Sequence, residues 1–127
     1  MRRCSLYKEI PMILLLSAFA GLAGCHSYHI DTTIENRTEA PVHLLEVDYP
    51  SASFGVDSIA AGADFHYRFE VQGSGPVKLQ YTNADGHLVE ITGPTLAEHQ
   101  EGHLEIVLLP RGQGEFHPQW TRHSSTN

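Results

Sequence analysis

From Tyr28 onward, apolar and polar residues alternate with period two in three clear runs. Tyr28, Ile30, Thr32 and Ile34 alternate with His29, Asp31, Thr33 and Glu35. Phe65, Tyr67, Phe69 and Val71 alternate with His66, Arg68 and Glu70, and Val77, Leu79 and Tyr81 alternate with Lys78, Gln80 and Thr82. Successive side chains of a strand point to opposite faces, so each run predicts a strand with one face buried and one in water. Val42 to Tyr49 is apolar-rich, but its phase slips at Leu44-Leu45, which predicts a bulge or a strand covered on both sides. Leu104 to Leu109 is apolar except for Glu105, as a central strand would be.

Turn chemistry separates these runs at short intervals: Asn36-Arg37-Thr38, Tyr49-Pro50-Ser51, Ala61-Gly62, Gly73-Ser74-Gly75-Pro76, Asn83-Ala84-Asp85-Gly86 and Gly93-Pro94. Asp85-Gly86 predicts an antiparallel hairpin joining Val77–Tyr81 to His87–Ile91, with Gly86 at positive φ. Thr95 to Gly102 has room for one helical turn at most, since Pro94 opens it and Gly102 closes it. The expected strands are 28–36, 40–49, 52–59, 64–72, 76–82, 86–92 and 103–109. About seven short strands without a helical stripe predict an all-β fold. The expected form is a single antiparallel β-sandwich, immunoglobulin-like in architecture only, with a small β-barrel as the alternative. Residues 111–127 carry Gly, Gln, Ser, Thr and His, with Phe116 and Trp120 as their large apolar side chains, and are expected to form a disordered tail.

The first 25 residues have another pattern. Arg2, Arg3 and Lys8 precede an apolar run from Ile10 to Gly21 interrupted by Ser17, and small residues follow before Cys25. This is the layout of a secretory signal. The apolar stretch is shorter than the ~20 residues a membrane-spanning helix needs, and it has no polar face to turn to water as a surface helix would. Leu22-Ala23-Gly24-Cys25 resembles the lipobox of bacterial lipoproteins. The resemblance implies signal peptidase recognition through Leu22, Ala23 and Gly24 and removal of residues 1–24. It also implies a covalent diacylglycerol on the Cys25 thiol, usually with acylation of its new amino group. Residues 25–27 are then the acylated anchor and 28–110 the β domain. Two or more acyl chains hold a protein at a membrane stably, whereas one does not. His26 stands where an aspartate commonly retains such proteins in the inner membrane. In a host with two membranes the resemblance therefore implies the outer membrane, at its periplasmic or surface face. The body, Tyr28–Pro110, also resembles uncharacterised bacterial lipoprotein domains through Tyr49-Pro50-x-x-x-Phe54-Gly55 and Gly93-Pro94-x-Leu96, which brings no activity with it.

Charge sharpens this picture. The whole chain carries −7. From Cys25 onward, five Lys/Arg face fourteen Asp/Glu, a net −9. Such a body repels phosphate backbones, which argues against nucleic acid as a partner. It also repels anionic lipid, so membrane contact is left to the acyl chains. Of the two cysteines, Cys4 lies in the signal and Cys25 takes the lipid, so neither a disulfide nor a paired-cysteine metal site is expected.

Nine histidines are the most unusual feature of the composition. His99 and His103 are four apart, the spacing that puts two imidazoles on one side of a helix, but Gly102 breaks such a helix. With His87 they are the candidate ligands of a Zn²⁺ or Cu²⁺ site; the alternative is a set of solvated surface histidines. Ser51, Ser53, Asp57 and His66 contain the residue types of a hydrolase triad without a Gly-x-Ser-x-Gly elbow. Glu98 and Glu101 read as a polar loop, and Asn36-Arg37-Thr38 as a turn although it matches a glycosylation sequon. Tyr67 is expected in the core; Tyr49 and Phe54 fit either the core or a ligand face. The resulting expectation is a membrane-anchored cell-envelope lipoprotein, not an enzyme, acting as a binding or structural module. It has no cofactor besides its covalent lipid, and its partner is an envelope protein or a polymer. Histidine-mediated metal binding is the second reading and a hydrolase the third.

Overall fold

A computed structural model describes residues 26–122; the signal segment, the Leu22-Ala23-Gly24-Cys25 motif and residues 123–127 lie outside the described residues. Eight strands follow one another: β1 (Ile30–Asn36), β2 (Val42–Tyr49), β3 (Ala52–Ile59), β4 (Asp64–Phe69), β5 (Gly75–Thr82), β6 (Leu88–Leu96), β7 (Gly102–Leu109) and β8 (Gln113–Trp120). They form two four-stranded sheets, in the order β4-β1-β7-β8 (the front sheet) and β3-β2-β5-β6 (the back sheet). The sheets stack as a sandwich and no barrel closes. All pairings are antiparallel except β1 with β7, which lie parallel at the centre of the front sheet. Among the described residues no helix is long and apolar enough to cross a membrane.

The alternating runs build the core as their pattern requires. Ile30 and Ile34 of β1, Val77, Leu79 and Tyr81 of β5, and Leu104, Ile106 and Leu108 of β7 are all buried between the sheets. Each such side chain removed from water contributes roughly 1.5–3 kcal/mol before chain entropy is counted. In β2 the phase slip is a bulge. Leu44 adopts φ 51 and the register with β5 shifts between His43 and Glu46. The extra residue lets Val42, Leu45 and Val47 all reach the core while Leu44 stands 68% exposed. The 83–87 hairpin also forms, with Gly86 at φ 80 and the Asn83 side chain accepting from the Asp85 and His87 amides. The Asn36 carboxamide is fully engaged in a turn. It donates to the Ala40 and Ile59 carbonyls and accepts from the Thr38 amide and hydroxyl.

Three expectations are corrected. Residues 113–120 are not a disordered tail: they are β8, paired with β7 along its length. Gly114, Phe116, Pro118 and Trp120 occupy one phase and Gln113, Glu115, His117 and Gln119 the other. The alternation is present, but glycine and proline at two inward positions conceal it. Gly93-Pro94 is not a turn between strands, because β6 runs through it to Leu96. A Cβ on Gly93 would stand 2.6 Å from the Phe116 ring, so the glycine makes room for the opposite sheet, and Pro94 is tolerated on an edge strand. Tyr67 is not core. It is 42% exposed on the edge strand β4, its ring stacked 4.1 Å from that of buried Phe54.

Candidate binding face

The register of the front sheet decides which polar residues share its outer surface. With Ile30, Ile34, Leu104, Ile106 and Phe69 turned inward, the opposite phase of each strand faces out. Three cross-strand rows result. Arg68, Asp31, His103 and Gln119 form the first; His66, Thr33, Glu105 and His117 the second; Asp64, Glu35, Val107 and Glu115 the third. Beyond the first row, towards the chain's entry into β1, His29 lies 3.9 Å from Glu70 and His26 bonds Glu101 at 2.7 Å. Carboxylates and imidazoles therefore tile this face, with Arg68 as the one guanidinium in the three rows. Val107 belongs to this outward phase yet is only 1% exposed.

Local pairing tunes the face. Arg68 reaches across to Asp31 with Nε at 2.7 Å and a longer second contact at 3.4 Å. That hydrogen bond, outweighing a small desolvation cost, holds the Asp31 carboxyl below its usual range and raises Arg68. Arg37 is paired with Glu35, and His117 with Glu115 at 3.0 Å. Thr33 and His66 are joined at 3.1 Å. Both guanidinium groups are thus neutralised locally, and the face keeps a net excess of carboxylates. A shallow depression of about 510 Å³, lined in part by His29, Asp31, Glu101 and His103, lies at its upper edge. The back sheet is different. There Glu46 and Asp48, two apart on β2, share a hydrogen bond that raises the Glu46 carboxyl, with Asp48's charge adding to the shift.

The residues singled out in the sequence are distributed as follows. Cys25, Leu22, Ala23 and Gly24 lie outside the described residues. His87 belongs to the β5–β6 hairpin at one end of the sandwich. His99 and His103 sit at the other end: His99, at φ 59, stacks 4.9 Å from Tyr28, and His103 lies in β7 beside Asp31. The three predicted metal ligands are not brought together, and among the described residues no group of three or more His, Cys, Asp or Glu is placed to hold a metal ion. The hydrolase residue types are also separated. Ser53 and Asp57 lie on β3 of the back sheet, Ser51 accepts from the Gln72 amide, and His66 is on the front face beside Thr33. Phe54 is core and Tyr49 half-buried, its ring 4.2 Å from that of Phe69. The front face itself was missed by sequence reasoning. Its signal is the polar phase of β1, β4 and β7, but only pairing shows that these phases adjoin.

No protein-family profile and no curated protein sequence matches this chain. Among solved structures, the chain is similar to a protein from Eubacterium rectale determined by NMR. The TM-score is 0.54 at 11% identity, over 75% of this chain and 94% of that one. At that identity the likeness concerns the fold alone.

Proposed function

We propose that this chain is a lipid-anchored, non-catalytic binding module of the bacterial cell envelope, held through Cys25, whose front sheet face engages a basic segment of another envelope protein. The observation that carries the reading is the outer face of β4-β1-β7-β8, where one register gathers Asp31, Glu35, Asp64, Glu105 and Glu115 while Arg37 and Arg68 are already paired. A carboxylate field of this kind steers a cationic partner and fixes its register, and it acts mainly on the association rate. The anchor half of the reading rests on the lipobox resemblance and the acidic body, which needs a lipid to stay at an anionic membrane.

Two measurements test the two halves separately. Mass spectrometry of the membrane-bound protein should find an N-terminal peptide beginning at Cys25 with acyl mass. Cys25→Ser should abolish both the cleavage and the lipid; unchanged processing overturns the anchor. Crosslinking in intact membranes should capture a basic envelope protein. Capture should weaken with added salt and fall at least several-fold when Glu105→Gln and Glu115→Gln are combined. Capture indifferent to both, or turnover of ester or glycoside substrates by the membrane-bound chain, overturns the binding module.

A further inference from the structure

The sandwich has four edge strands, β4 and β8 in the front sheet and β3 and β6 in the back sheet. Three of them carry a device against foreign pairing. β6 has Pro94, β8 has Pro118, and the short β4 has the charges Asp64 and Arg68. β3 has none of these: its eight residues, Ala52–Ile59, contain no proline, lysine or arginine, and their one charge is Asp57 in the second half. The aromatic seam beneath shields the core and leaves this edge itself open. An unblunted edge is a template for an added strand.

The register fixes which groups the edge offers. Pro50-Ser51 is a two-residue turn, with Tyr49 facing Ala52, Val47 facing Phe54 and Leu45 facing Val56. In such a hairpin the closing pair exchanges hydrogen bonds and the bonded pairs then alternate. Ala52, Phe54 and Val56 therefore bond β2, while Ser53 and Gly55 turn their N–H and C=O to the free edge. Both residues are exposed, and their side chains share the outer face with Asp48 and Glu46 of β2. Gly55 stays bare because a Cβ there would stand 2.8 Å from the Leu45 carbonyl oxygen. A side chain opposite Gly55 on an added strand thus passes over backbone alone before it meets Glu46. That crossing is two strand spacings, roughly 10 Å, which a lysine and a glutamate span together.

Charge chooses the occupant. Behind the edge the outward rows run Gly55, Glu46, Gln80, Glu90 and Ser53, Asp48, Lys78, Thr92, three carboxylates against one lysine. Glu46 and Asp48 share a hydrogen bond, so two like groups are already crowded there. A second copy of this acidic chain would bring the same carboxylates to the junction. On the inner side the added strand meets half-buried Val56 and the Tyr67 ring, which is 42% exposed. We propose that the free edge of β3 takes an extended segment of a partner protein as a fifth strand of the back sheet, with lysine or arginine in its outward phase reaching Glu46 and Asp48 and apolar residues in its inward phase covering Val56 and Tyr67. This surface is separate from the front face and from the anchor.

The test is an NMR titration of the full chain in detergent micelles with the peptide acetyl-Lys-Val-Lys-Val-Lys-Val-Lys-amide. Two controls accompany it: the same peptide methylated on all its backbone nitrogens, which keeps every side chain but removes the ladder donors, and the peptide with glutamate for lysine. The lysine peptide should give saturable shifts and slowed exchange at the Ser53 and Gly55 amides, and each control at least tenfold weaker binding. Ser53→Lys, which places on β3 the kind of charge that guards other edges, should weaken binding at least tenfold with the remaining strand signals unchanged. Glu46→Gln combined with Asp48→Asn should weaken it several-fold, and Glu105→Gln combined with Glu115→Gln should leave it unchanged. Absence of saturable shifts, equal response to the methylated peptide, or indifference to Ser53→Lys and to the Glu46/Asp48 pair overturns the proposal. So does binding lost with the Glu105/Glu115 pair, which assigns the peptide to the front face, or concentration-dependent protection of Ser53 and Gly55 without peptide, which assigns the edge to a second copy. The crosslinking test of the front face is decided independently of these results.

Discussion

The two open sides of the sandwich are closed by opposite means. On one side β6 meets β8, and glycines bring the sheets together. Gly93 makes room for the Phe116 ring and Gly114 for the Ile91 side chain, each at a distance a Cβ would not survive. On the other side β3 meets β4, and the gap is filled by rings. Phe54 lies 4.1 Å from Tyr67, 5.6 Å from Phe69 and 6.5 Å from Phe65. One seam is sealed by removing side chains and the other by adding large ones. The difference shows as a matter of degree in exposure: Tyr67 is 42% exposed, whereas Phe116 is partly buried against the core. A glycine seam is damaged by growth, and an aromatic seam by loss of its buried ring. Both deal with the same difficulty, that an unpaired edge strand invites foreign pairing. The prolines on β6 and β8 and the charges Asp64 and Arg68 on β4 blunt the edges further.

That contrast is broken most severely by ending the chain at Gly112. β7 then loses β8, the glycine seam vanishes, and Leu104, Ile106 and Leu108 are left under an open edge. The expected outcome is loss of cooperative unfolding, read by thermal circular dichroism; a retained sharp transition would show that residues 113–120 are dispensable. Phe54→Ala should come next, at about 3 kcal/mol, near the lower end for a buried aromatic because the site adjoins solvent. Gly93→Ala attacks the other seam by growth and should cost about 1–3 kcal/mol as the Phe116 ring is displaced; both are measured by urea unfolding. Tyr67→Ala should cost only about 1 kcal/mol, the worth of one half-exposed aromatic stack. If it cost as much as Phe54→Ala, the Tyr67 ring would count as core and the aromatic side would not be partly open to water as described. The smallest effect concerns Asp31 beside this seam. Its carboxyl is held below the ordinary value, so its pairing contributes above that value and is lost as pH falls through the lowered one. Arg68→Ala should move the Asp31 titration upward towards the ordinary range, followed by NMR, and should flatten this part of the acid dependence of stability.

Much of the fold was legible because strand periodicity is local. Ile30/Ile34, Val77/Leu79/Tyr81 and Leu104/Ile106/Leu108 face inward as their alternation demands, and the slip at Leu44-Leu45 is the bulge it implied. The candidate site was less legible. His99 and His103 share a helical spacing, yet a turn and a strand carry them, and His87 lies at the far end. No local rule joins a hairpin, a turn and a central strand, so ligand convergence is not readable from spacing alone. The front face depends on β1 and β7 lying parallel, a pairing between the two ends of the domain.

The sequence by itself determined that residues 28–110 are all-β with an acidic body, a sandwich or a small barrel, because alternation, turn residues and net charge act over a few positions or over the whole sum. Tertiary structure alone decided that Gly114-Glu115-Phe116-His117 is a strand, that Gly93-Pro94 continues one, that Tyr67 stays half in water, and that the polar phases of β1, β4 and β7 adjoin on one face. Each of these turns on what stands across a sheet or between two sheets. A glycine reads as a turn until an aromatic ring from the opposite layer occupies the space its side chain lacks.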